Sequence, residues 1–112
     1  MKHKSATPWA REVWKRAFPG EAWPKGWRME WVGFMRGAAG LTVWSERRVL
    51  LSLGDRKRCN PIHTLCHEFV HVRFPRLRHG RDFTRLTDAA ITRVWSKAEA
   101  ERMRPPDGRE GE

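Results

Sequence analysis

The sequence predicts an α+β fold: an N-terminal helix, a small and mostly antiparallel three-stranded sheet, a helix that carries two histidines, and a C-terminal helix. Three observations predict it. The stretch TPWAREVWKRAFPG reads as a helix with a start and a stop, RVLLSL at 48–53 alternates as a half-buried strand does, and Asn60–Pro61 opens a run that stays helical up to Pro75. At 112 residues the chain fits one domain, expected over 1–104, with PPDGREGE at 105–112 as a frayed tail. A chain of this size buries about two-thirds of its unfolded surface. Seven Trp and five Phe, with the aliphatic residues, must therefore supply most of the core.

The elements follow in order. Thr7 is the expected N-cap of the first helix and Pro8 its first residue; Trp9, Val13, Trp14 and Ala17 recur at helical spacing, and Pro19–Gly20 ends it. That helix is expected to cover the sheet. After a connection at 21–26, Trp27, Met29 and Trp31 alternate with Arg28 and Glu30 as a first strand. GAAG at 37–40 reads as a turn, LTVW at 41–44 as a second short strand and SER at 45–47 as another turn. In the third strand Val49, Leu51 and Leu53 form the apolar face, which suits a meander covered on one side. GDRKRC at 54–59 is a basic loop. Asn60 caps the next helix and Pro61 starts it, and PRLRHG is a short crossing loop. From about Arg81 a last helix is marked by a stripe of Phe83, Leu86, Ala90, Val94 and Trp95, and it ends by Pro105–Pro106.

The formal charge is +10, concentrated in residues 47–85, where ten Lys or Arg face three acids. Such a field favours phosphate backbones or acidic polypeptides. Arg56, Lys57 and Arg58 are the expected nucleic-acid contacts, against the plainer reading of a well-solvated arginine surface. No apolar stretch approaches the roughly twenty residues needed to cross a bilayer, and MKHKSATPW leads into no hydrophobic signal region. A soluble, cytoplasmic protein without a membrane partner is expected, with Cys59 and Cys66 as reduced thiols.

Residues 67–71 read HEFVH, and HGRDF follows at 79–83. Two histidines four apart on a helix lie about 40° apart around its axis and about 6 Å along it, so His67 and His71 can converge on one ion. Glu68, between them, can stand beside that ion without being a ligand. A catalytic zinc keeps three protein ligands and an open position. His79 is the natural third, with Asp82, Asp88 and Glu99 as acidic alternatives that the HG start of the last helix disfavours. His63 shares the face of His67, but it lies about 12 Å along the axis from His71, too far for one ion with bonds of about 2 Å. It is expected at the pocket edge. Cys66 is turned off the ligand face by about 100° and is expected to be a buried small side chain.

HEFVH followed by HGRDF, behind the RVLLSL strand, resembles the SprT-like zinc metallopeptidases, and more loosely the YgjP-like family and the compact minigluzincins. The match covers about residues 40–95. The resemblance implies a minimal zincin-like domain with one Zn2+ per chain. In it the strand before the helix borders the substrate cleft, His67, His71 and His79 hold zinc, and Glu68 is the general base. The interval from His71 to His79 is shorter than in many SprT-like members, no CxxC zinc ribbon follows, and minigluzincins would use a glutamate as third ligand. The metzincin pattern is excluded, because Phe74 and Leu77 stand at its glycine and histidine positions.

The expected activity is that of a zinc metalloendopeptidase. Zinc polarises the scissile carbonyl and lowers the pKa of its water towards about 7, and Glu68 removes the proton. With no Tyr in the chain, His63, Arg81 or Arg85 would join zinc in stabilising the oxyanion. RVLLSL could present a free edge to an extended polypeptide substrate. Its charge adds DNA or an acidic protein as a partner, which suggests hydrolysis of DNA-associated proteins. The competing class is a basic nucleic-acid-binding module with a structural zinc site, although most of its tryptophans fall on expected core faces.

Overall fold

The computed structural model describes residues 4–33, 35, 37–52 and 60–95. Its elements are β1 (Lys4–Ser5), α1 (Thr7–Ala17), β2 (Arg28–Val32), β3 (Gly40–Val43), a single 3₁₀ turn at Trp44–Glu46, β4 (Arg48–Ser52), α2 (Pro61–Arg73) and α3 (Arg81–Val94). The chain is α+β. The expected tail at 105–112 and the basic loop residues 54–59 lie outside the described residues.

The sheet differs from the expected three-stranded meander. It has four strands in the order β1-β2-β4-β3, and its central pair, β2 and β4, is parallel. Alternation in sequence says which face a residue takes but not which strand lies next door. Here the inward residues decide. Met29 pairs with Val49 and Trp31 with Leu51, all exposed by 2 % or less, so both apolar strands sit centrally beneath the helices. From β3 only Gly40 and Thr42 reach towards α2, and they offer little apolar area, so that strand takes the edge beside β4. The expected strand RVLLSL is described up to Ser52, and that part is no free edge; β4 is hydrogen-bonded on both sides, and among the described residues the edge on that side is β3. A tight connection with Arg47 in the left-handed region (φ 51°) closes the β3–β4 hairpin. β1, which sequence patterning missed, is only two residues long and pairs antiparallel with β2.

Two helix details also depart from expectation. Thr7 is already helical, with Ala6 as the cap residue. The Thr7 hydroxyl serves the sheet instead, accepting from Met29 N at 2.9 Å and donating to Met29 O at 3.2 Å. In α3 the buried stripe is Phe83, Thr87, Ala90 and Val94, while Leu86 is half-buried and Trp95 is 40 % exposed. Leu86 and Thr87 flank Phe83 on opposite sides, about 60° and about 40° from it around the axis, and it is Thr87 that is turned into the core. The α2 start is as expected, with Asn60 Oδ1 accepting from Ile62 N at 2.9 Å.

Helices α1 and α2 cover one face of the sheet and α3 packs against both of them, and Trp9, Val13, Trp14, Leu65 and Phe69 meet Met29, Trp31, Val49 and Leu51 in one core. Phe69 is its centre. Trp14 packs against it edge-on at 5.0 Å between ring centroids and Trp23 at 6.0 Å, while Phe18 lies 4.5 Å from Trp14. Each such pair adds roughly 0.5–1.5 kcal/mol beyond area burial. At the far end Arg93 Nε donates to Ala17 O at 2.6 Å, giving α1 a partner for a terminal carbonyl and tying α3 to it. No helix among the described residues is long and apolar enough to cross a membrane.

Phe69 is fully buried, so Phe69→Ala should cost about 3–5 kcal/mol. That is a large share of the roughly 5–15 kcal/mol that holds a domain folded. The loss should appear as a lower urea midpoint, and Phe69→Leu, which keeps more of the volume, should lose clearly less.

Candidate metal centre and cleft

Two elements bring the three histidines together. His67 and His71 stand one turn apart on α2, with ring centroids 5.0 Å apart. The chain then leaves the helix at Phe74, whose amide still donates to Val70 O, and turns through residues 75–80 to deliver His79. The His79 ring lies 5.1 Å from His67 and 4.8 Å from His71, and one nitrogen from each of the three falls within 4.8 Å of the others. Phe83, on the first turn of α3, backs all three rings at 4.8, 4.6 and 4.8 Å. A Cβ on Gly80 would meet nothing within 4 Å, so this glycine serves no close backbone approach. Its φ of 159° and ψ of −162° show that it shapes the backbone path into α3.

The donor set suits a metal. Burial pushes the pKa of His67 down, with His79 adding to the effect, and burial followed by His67 and His79 pushes His71 down to about 4. Both rings are neutral near pH 7 and present lone pairs. His71 Nε2 and His79 Nε2 are 3.0 Å apart. A tetrahedral ion with bonds of about 2.0–2.1 Å sets its nitrogens about 3.3–3.4 Å apart, a small side-chain adjustment away. Among the described residues no further His, Cys, Asp or Glu joins this group.

Glu68 is 5 % exposed and sits where α2 passes β3. Its Oε1 accepts from Thr42 Oγ1 at 2.7 Å. Its Oε2 lies over Gly40, where an added Cβ would come within 2.9 Å of that oxygen and of Thr64 Cγ2. Only glycine allows the helix this close. Burial raises the Glu68 pKa, and the Thr42 hydrogen bond opposes the rise. Between α2 and the 37–40 segment runs an open cleft of about 630 Å³, whose lining includes Ala39, Gly40, His63, Thr64, His67, Glu68 and His79.

The other sequence-derived candidates separate. His63 is at the cleft wall, with its Nε2 hydrogen-bonded by Trp95. Arg85 pairs with Asp82 at 3.1 Å on the outer side of α3, and neither it nor Arg81 lines the cleft. Asp88 is exposed and is not part of the histidine group. Glu99, Cys59, Arg56, Lys57 and Arg58 lie outside the described residues. Cys66 is buried in the core, its thiol pushed up to about 12 by burial against the opposing charge of Arg93, so it is an unreactive packing residue. Sequence reasoning missed Gly40, Thr42 and Trp95. Gly40 was legible only as a turn, and nothing in LTVW marks a threonine as the partner of a glutamate 26 residues away. Compared with known proteins, the chain matches no family model, no curated protein and no solved structure.

Folding lowers the pKa of His67 and His71, so as pH falls the unfolded chain takes up protons first. The metal-free protein should therefore lose stability from the ordinary histidine value of 6.5 down towards about 4. Urea midpoints at about pH 7.5 and about pH 5 measure it, and His71→Gln should flatten the difference.

Proposed function

We propose that this chain is a zinc-dependent metallopeptidase of the SprT-like kind, with His67, His71 and His79 holding one zinc ion and Glu68 acting as general base. The observation that carries the reading is the place of Glu68. It is a cleft-wall carboxylate adjacent to a ligand in sequence, outside the three-imidazole group, and fixed through one oxygen by Thr42. A group of three favours an open, catalytic site, since structural sites are usually closed by four protein ligands. The α+β architecture and the HEFVH and HGRDF segments fit the zincin-like domain that the sequence resembles.

When bound, zinc supplies Lewis acidity, polarising a carbonyl and lowering the pKa of water towards about 7. Glu68 takes a proton from the attacking water and delivers it to the leaving amine as the C–N bond breaks. Its burial suits that task, because a raised pKa makes the carboxylate a stronger base and moves it towards the working pH. Thr42 holds Oε1 and so orients the group. The edge strand β3 takes the substrate-pairing part first assigned to β4, offering backbone amides and carbonyls to an extended polypeptide. Around His79, the exposed Arg76, Arg78 and Arg81 favour substrates that are acidic or held on DNA.

Two sets of variants test the reading. Zinc content of purified protein should be about one per chain and should fall in both His71→Ala and His79→Ala; full zinc in both would remove the ligand assignment. Glu68→Gln keeps shape and hydrogen bonding but not basicity, so it should retain zinc while cleavage of an unfolded protein drops about 10²-fold to 10⁴-fold. Equal cleavage by wild type and Glu68→Gln would eliminate Glu68 as the base. Zinc-loaded wild type that cleaves nothing, with or without DNA, would instead favour a nucleic-acid-binding module with structural zinc.

A further inference from the structure

Trp95 follows the last residue of α3 and remains 40 % exposed, yet its indole has a definite partner. Nε1 donates to His63 Nε2 at 3.1 Å, and the two rings meet edge-on, 5.9 Å between centroids and 87° between planes. An indole N–H can only donate. Nε2 of His63 must then carry a lone pair, and the one hydrogen of the neutral imidazole sits on Nδ1. His63 lies in the cleft wall with His67, Glu68 and His79, one helical turn, about 6 Å, before His67. With Nε2 engaged, the polar group that His63 has left for the cleft is a donor.

We propose that Trp95 is a positioning residue that holds His63 in its Nδ1–H tautomer, and that His63 donates this hydrogen bond to the oxyanion forming on the scissile carbonyl oxygen. The proposal rests on the peptidase reading above. As the water oxygen bonds to the carbonyl carbon, the carbonyl π pair moves onto oxygen, and Nδ1–H shares that charge without giving up its proton. On collapse the pair returns, the C–N bond breaks, and the amine leaves with the proton carried by Glu68. Among the described residues competing side-chain donors are few. The chain has no tyrosine, Arg85 is paired with Asp82, and Arg81 does not line the cleft.

The test uses the zinc-loaded full chain and Trp95→Phe, which keeps an aromatic ring but loses the N–H. Long-range proton–nitrogen NMR correlations at mildly alkaline pH should show His63 as Nδ1–H in the wild type and as a mixture with Nε2–H in the variant. On a peptide substrate, kcat of Trp95→Phe should fall on the order of tenfold with KM nearly unchanged, a fraction of the about 10²-fold expected for His63→Phe, where the donor itself is lost. His63→Asn, whose amide N–H takes the place of Nδ1–H, should keep most of kcat and no longer respond to Trp95→Phe. An Nε2–H tautomer in the wild type, a change in KM alone, or a loss of kcat matched by lost zinc or lower thermal stability would overturn the proposal. An active wild type unaffected by Trp95→Phe and His63→Phe overturns this role alone. A zinc-loaded wild type that cleaves nothing overturns the peptidase reading and the oxyanion role together, while the NMR result still judges the Trp95–His63 contact separately.

Discussion

Glu68 is a carboxylate buried between a helix and the edge of a sheet, and much of the domain is arranged so that it can remain there. Burying such a group without a hydrogen bond is costly, whereas a hydrogen bond to a charged acceptor contributes about 1.5–3 kcal/mol. Thr42 supplies that bond from β3, which requires α2 to run very close to the strand. Gly40 permits the approach, since any Cβ there would collide with Glu68 and Thr64. The aromatic packing of Trp14, Trp23 and Phe18 around Phe69 fixes the helix from its other side. A carboxylate held in this way is largely withdrawn from bulk water, and that is why its pKa stays raised despite a good partner.

The histidine group depends on the same helix but on a different neighbour. His67 and His71 need a third ring brought over them, and the chain supplies it by ending α2 at Arg73, turning, and restarting at Arg81. Phe83 then acts as a common apolar wall, limiting ring rotation and removing water from one side. Partial burial keeps His67 and His71 neutral, the form that binds metal and the form that packs against phenylalanine.

Much of this was legible in the sequence because it is local. Helix α2, its Asn60–Pro61 start and the spacing of His67, Glu68 and His71 all follow from contacts within one element, and His79 is only eight residues beyond His71. What escaped was set by neighbours distant in the chain. Alternation in RMEWV and RVLLS marks the buried faces correctly, yet the parallel pairing of β2 with β4 depends on matching Met29 and Trp31 to Val49 and Leu51 across the sheet. Thr42 and Gly40 acquire meaning only once β3 is the edge strand. In α3 the helical repeat admits both Leu86 and Thr87 beside Phe83 and Ala90, and the packing of the helix against α1 and α2, distant in the chain, buries Thr87 more deeply.

One helix therefore builds both core and site, with the two kept apart by its periodicity. Ile62, Leu65, Cys66 and Phe69 face the core, while His63, His67 and His71 recur every four residues on another side, the first two of them in the cleft wall. Because His79 comes from the turn before α3, an ion held as proposed would bridge two elements and would gain its full set of ligands only when α3 is docked. Its binding free energy would then contribute to folding, as binding to the native state alone always does. The docking of α3 is also secured at its far end by the Arg93 bond to the last turn of α1. Ion and guanidinium would then clamp the same helix at opposite ends. For a chain this short, with a core built mainly on one aromatic cluster, such a clamp supplies constraint that the apolar area alone provides only sparingly.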